Sequence, residues 1–225
     1  MNIEVVPSTF KEDLDPTSFA SPIEYAKETA RRKAVEVARR LGMAEKQSGD
    51  SVNSPPDIVI GADTIITVGD KIYGKPKDEE DAKRTLKELS GKPHIAITGF
   101  VLVTPGTWKV GHLLKESEDK PALCVVLAYE TTEVFMCELA PEIINAYLKT
   151  GEPMGRAGSY SIQDLAATFV ESINGDYYNV VGLPLHKFCR QMLQTLSLSL
   201  ISISLSLSYL SLFLIIYLSI SVKLF

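Results

Sequence analysis

The chain has 225 residues, 45% hydrophobic and 23% charged, enough for one domain with a buried core and too apolar for intrinsic disorder. A net charge of −5 gives no broad positive field, so nucleic acid is excluded as a partner and an anionic ligand needs a local cluster of cations. Cys124, Cys137 and Cys189 match no metal or redox spacing, and the first residues carry no secretory pattern, so the expectation is a cytoplasmic protein with reduced thiols.

Residues 3–6 read as a short strand, followed by an irregular loop to residue 19. Ser21-Pro22-Ile23-Glu24 then opens a helix: Ser caps, Pro fits the first turn, and Glu24 is placed to reach back to the cap amide. The helix runs to about Leu41, with Gly42 as its stop. Tyr25, Ala26, Thr29, Ala30, Lys33, Ala34, Val37 and Leu41 share one face, which puts Lys33 on the buried-leaning side. Arg31, Arg32, Arg39 and Arg40 form the solvated face. Residues 43–56 are a polar surface loop.

Residues 57–68 and 71–73 predict paired strands around the turn Gly69-Asp70. Asp78 caps a second helix with Ala82, Leu86 and Leu89 inward, ended by Gly91. A strand follows over 94–103, a loop over 105–121, and one bent strand or a pair over 122–137. Residues 141–148 are a helix closed by Gly151; 159–162 and 167–173 read as short strands. Leu183-Pro184 opens a last helix with Leu185, Phe188, Cys189 and Met192 facing in. The order implies a single α/β domain over residues 1–194, built on a mixed β-sheet with flanking helices.

Residues 195–225 are a separate low-complexity tail of Leu, Ser and Ile, with no charge from Gln191 to Val222. Three readings stand: foreign text from an altered reading frame, a membrane anchor over 196–222, or a strand that is buried or forms an oligomer such as a homodimer.

The run Val59-Ile60-Gly61-Ala62-Asp63-Thr64 delivers an acid and a hydroxyl to an expected strand end. Gly74-Lys75-Pro76 follows, and an Asp and a Lys at the two tips of one hairpin suit a metal-bound polyphosphate. On its own, the Asp63 carboxylate fits a turn cap, and it also fits a Mg2+ ligand or a proton acceptor. Lys75, on a constrained loop, fits a point-charge phosphate contact or a plain surface lysine. Gln163 both donates and accepts, so it fits the edge of a pyrimidine or a surface amide. Asn179 reads as a turn-stabilising amide. His94, His112 and His186 share no motif and are not read as ligands.

Further on stand Gly151-Glu152-Pro153-Met154-Gly155-Arg156-Ala157-Gly158-Ser159-Tyr160-Ser161-Ile162-Gln163 and Gly175-Asp176-Tyr177-Tyr178-Asn179-Val180-Val181-Gly182-Leu183-Pro184. In order and spacing, the four segments closely resemble the Maf family of nucleoside triphosphate pyrophosphatases, in particular the Maf-like part of acetylserotonin O-methyltransferase-like proteins, over roughly residues 3–192. The resemblance implies hydrolysis to a nucleoside monophosphate and pyrophosphate, with Mg2+ or Mn2+. It makes Asp63 the proton acceptor, Lys33 and Lys75 phosphate-binding lysines, and Glu12 an acid near the metal. It ties Thr64 and Gln163 to a preference for dTTP, UTP and modified pyrimidine nucleotides.

Two positions depart from the commoner family text, Arg156 for Lys and Asp164 for Gly. A larger departure is the family's Ser-x-Ser-Pro-Arg-Arg loop, which embraces the triphosphate and occurs nowhere in residues 1–225. Losing two charge-assisted phosphate contacts at about 1.5–3 kcal/mol each implies roughly two to four orders of magnitude in affinity or rate. The rival reading is therefore an impaired Maf-like binding or interaction module, or one attached to a membrane through its tail.

Overall fold

The structure, a computed structural model, describes residues 3–43, 55–106 and 123–195. The loop at 107–121 with His112, most of the 43–56 loop, and the tail from 196 onward lie outside the described residues. Helix α1 (Pro22–Arg40) starts where the cap chemistry predicts: Ser21 Oγ accepts the Glu24 amide and Pro22 fills the first turn. Glu24 does not return the bond to the cap; its carboxylate takes Lys27 Nζ at 2.8 Å, one turn further on. Ala26, Ala30, Ala34 and Ala38 recur at every fourth residue and are all buried, so α1 presents a row of small side chains.

That row meets a five-stranded sheet. Its strands are β1 (Val59–Val68), β2 (Lys71–Tyr73), β3 (Pro93–Pro105), β4 (Leu123–Met136) and β5 (Val170–Asn174), in the order β2-β1-β3-β4-β5. All four pairings are antiparallel, which narrows the expected mixed sheet. The passage from β1 to β3 through β2 and α2 (Glu79–Leu89) explains the direction: Thr67 pairs with Ile95, so β3 starts at the end of the sheet where β1 finishes.

Both faces of the sheet are covered, which is why β3 reads as an almost continuous apolar run. Odd-numbered residues of β1 and β3 (Val59, Ile65, Ile97, Val101, Val103) pack with α1. Even-numbered ones turn the other way. Ile66 and Ala96 join α2 and α3 (Pro141–Leu148), while Phe100 and Leu102 join Phe188 and Met192 of α5 (Leu185–Thr195). α4 (Tyr177–Val181) lies between β5 and α5 in the chain.

The alanine row closes on two glycines of the sheet. A Cβ at Gly99 would stand 2.6 Å from Ala26 C and Lys27 N, and one at Gly61 would stand 2.8 Å from Ala34 Cβ. Backbone and Cβ atoms cannot yield as a side-chain tip can, so only glycine permits this depth of contact. Asp63 pairs with Gly99 across the ladder, so the tightest point of the helix–sheet contact lies beside that carboxylate.

Other sequence expectations change as well. Among the described residues, 3–6 have no ladder partner; Val6 leans on the α1 cluster and Pro7 O accepts Arg40 Nη2 at 2.8 Å. Residues 159–162 form no strand, because Gly158 and Ser159 both adopt positive φ, 68° and 63°, which a strand excludes. The expected strand from 167 begins only at Val170, after a 3-10 turn (Leu165–Phe169). Helix α4 was not foreseen, and the 122–137 segment is one strand from Leu123. Among the described residues, no helix is long and apolar enough to cross a membrane.

Gly99→Ala should lower unfolding free energy by about 1–3 kcal/mol, the usual cost of overpacking. Gly74→Ala, whose Cβ meets nothing within 4 Å, should stay within about 0.5 kcal/mol of the parent in the same denaturant titration.

Candidate active site

Asp63 is not at a strand end. It sits inside β1, and it is reachable because β2 covers only Ile66 to Val68. Among the described residues, the outer edge of β1 from Val59 to Ile65 has no strand partner. Alternation sends the Asp63 side chain to the α1 face and Thr64 to the opposite face. One pocket lies along this bare edge, and its lining joins the charged side chains of Lys33, Asp63, Lys75 and Arg156 to the neutral ones of Thr64, Ile66, Tyr160 and Val180.

The charged half is a chain of ion pairs. Lys33 Nζ lies 2.6 Å from Asp63 Oδ1 and 3.0 Å from Glu12 Oε1, and the same Glu12 oxygen accepts Lys75 Nζ at 3.1 Å. Burial pushes the Asp63 carboxyl above its ordinary value, against the pull of the Lys33 ammonium. Burial also works against the charge on Lys33, but Asp63 and Glu12 outweigh it and hold that ammonium above its ordinary value. For Glu12, burial is offset by the two lysines, which hold it below the usual carboxylate range. The arrangement supplies a water-poor base, two ammonium groups and a second acid within one hydrogen-bonded cluster.

The loop after α3 carries Arg156 and Tyr160 into this lining. Gly158 donates its N–H to Gly74 O at 3.1 Å, which ties the Arg156 loop to the Lys75 loop. Arg156 is half exposed and rests on Asp164 at 3.4 Å. Tyr160 Oη lies 2.8 Å from His94 Nε2, and His94 Nδ1 faces Lys92 O at 3.4 Å. The carbonyl can only accept, so Nδ1 carries the hydrogen and Nε2 accepts from the phenol. Burial raises the Tyr160 phenol above its ordinary value, keeping that donor protonated.

Glu12, Lys33, Asp63 and Lys75, far apart in sequence, are thus brought into one cluster, with Thr64 on the adjoining wall. Gln163 is half-buried and does not line this pocket. Tyr160, Val180 and Val181 went unread as site residues; they lie inside recognised segments, but apolar and phenolic side chains carry no distinctive signal there. Asn179 is fully buried, and its amide bonds run to β3 and β4 rather than within a local turn.

The chain is thus an α/β protein in which an antiparallel sheet is clasped by α1 and carries an acid–lysine cluster at a bare strand edge. A family model for Maf-like proteins matches residues 1–196. The chain belongs to the Maf-like family. It is 45% identical over 194 residues to a human protein named probable bifunctional dTTP/UTP pyrophosphatase/methyltransferase protein, covering 86% of this chain but only 29% of that relative. It is 42% identical to the dTTP/UTP pyrophosphatase of Thermococcus kodakarensis, covering 81% of this chain and 80% of the relative. The dTTP/UTP pyrophosphatase of Ruminiclostridium cellulolyticum is 39% identical, with 86% and 85% covered.

The burial of His94, whose Nε2 accepts from Tyr160, makes this part of the site sensitive to acid. Burial depresses His94 from 6.5 to about 4, so between those values the folded ring is neutral while the unfolded one is protonated. Its contribution is complete above 6.5 and is lost on acidification, about 3 kcal/mol by pH 4. Urea titrations from pH 7 to 4 should show this slope in the parent and its loss in His94→Gln.

Proposed function

We propose that the protein hydrolyses nucleoside triphosphates between the α and β phosphates, with dTTP and UTP as the preferred class, releasing the monophosphate and pyrophosphate. The observation that carries this is the Lys33 ammonium held between Asp63 and Glu12, with Lys75 on Glu12 as well, in a pocket that also holds Arg156, Thr64 and Tyr160. The names of the pyrophosphatase relatives support the same substrate class.

Without ligand, the lysines and carboxylates satisfy one another. A triphosphate offers the lysines better-matched partners, and Arg156 stands at the same rim. The exchange frees Asp63 from Lys33. Its burial makes it a stronger base than a solvated Asp, suited to take the proton of the attacking water. Lys33 and Lys75 then offset charge developing on the phosphates.

Asp63 and Glu12 meet at one ammonium, the oxygen-donor chemistry that suits Mg2+ or Mn2+ when phosphates complete the shell. These two residues would hold the ion, which when bound would neutralise phosphate charge. Thr64 is the specificity residue of this proposal; a base-reading role for Gln163 would need its loop to bring it inward. The free thiols of Cys124, Cys137 and Cys189 are in keeping with the cytoplasm.

Asp63→Asn keeps the shape and removes the basicity, so pyrophosphate release from dTTP with Mg2+ should fall at least about a hundredfold. Undiminished turnover would remove Asp63 from the mechanism. Lys75→Ala should raise KM and lower kcat together, because a phosphate contact acts in both the ground and the transition state. A change in neither would return Lys75 to the solvated surface.

A further inference from the structure

Behind the neutral wall runs a line of hydroxyls and amides whose hydrogens can be assigned one by one. Asn179 Nδ2 donates to Ala96 O at 3.0 Å and to Thr132 Oγ1 at 3.0 Å. A flipped amide would face a carbonyl with an oxygen, so the orientation is set. Thr132 gives its own hydrogen to Asp176 O and accepts the Asp176 N–H, both at 3.0 Å. With α4 anchored in this way, Asn179 O accepts the Thr98 hydroxyl at 2.8 Å.

A hydroxyl has one hydrogen. Thr98 has committed its hydrogen to Asn179 O, so in the 2.8 Å contact between Thr64 Oγ1 and Thr98 Oγ1 the donor is Thr64. The two threonines are directly opposed across β1 and β3, and Thr98 is fully buried. Thr64, which lines the pocket, therefore turns its hydrogen away from the ligand and keeps only lone pairs for it. Tyr160 on the same wall has its hydrogen on His94.

We propose that Thr64 reads the base as an obligate acceptor, with Thr98 and Asn179 as positioning residues, and so selects heterocycles with an imide N–H. Uracil and thymine carry that donor at N3, where cytosine carries an acceptor. A lone pair facing a lone pair leaves both unpaired, the situation in which polar sites discriminate best. The inference rests on the nucleotide reading above and deepens it by naming the group that is recognised.

The test uses the full chain and three probes: dTMP, dCMP and N3-methyl-dTMP, titrated calorimetrically, with dTTP hydrolysis followed separately. The parent and Thr98→Ser should bind dTMP about tenfold tighter than either other probe, the scale of one hydrogen bond. Thr98→Val, which keeps the shape and frees the Thr64 hydrogen, should bring dTMP and dCMP within about threefold of each other. Thr64→Val, at the half-buried edge, should do the same and serves if the core variant does not fold. A parent without a preference for dTMP, or a gap that survives in the folded valine variants, overturns the inference. Intact binding preferences without pyrophosphate release would count against the hydrolase reading alone.

Discussion

The site depends on how closely α1 can lie on the sheet. An alanine at every fourth position faces Gly61 and Gly99, and the helix backbone settles where any side chain on Gly99 would collide with it. Lys33 belongs to this helix, and Asp63 is the cross-strand partner of Gly99. The 2.6 Å contact between them is therefore a consequence of helix–sheet depth rather than of an isolated attraction. A helix held further out would carry its ammonium away from the carboxylate and leave a buried charge without a partner, which is costly.

A second consequence comes from the short β2. Because it stops at Ile66, the edge of β1 exposes two consecutive side chains that alternation sends to opposite faces. Asp63 meets the cations; Thr64 meets hydroxyls and apolar groups. One strand edge thereby separates a charged half, suited to phosphates, from a neutral half, suited to a base. The self-paired lysines and carboxylates also show how a chain with a net charge of −5 gathers cations at one point, where the proposed substrate would take them over.

Much of this was legible in the sequence where local chemistry decides. Ser21-Pro22 and Asp78 mark helix starts that the structure keeps, and the Gly69-Asp70 turn joins β1 to β2 as expected. Lys33 was readable from the apolar stripe of its helix, while Asp63 and Lys75 rested on their motifs. What was not legible depends on distant partners. Residues 3–6 have strand-like composition but no ladder to join, and α4 is held by contacts from Asn179 to β3 and β4. Glu12 carries no local signal of its own, because its two partners are 21 and 63 residues away in sequence. The Thr64 polarity needs Thr98 and Asn179 in place before it exists at all.

Close packing at Gly99 should act on the proposed chemistry through Lys33, and a double-mutant cycle tests this directly. dTTP turnover would be measured for the parent, Gly99→Ala, Lys33→Ala and the double variant, at a temperature where all four are folded. If Gly99 matters because it lets α1 bring Lys33 to Asp63, the double variant should be no slower than Lys33→Ala alone. Losses that multiply would show that Gly99 and Lys33 act independently and would contradict the account.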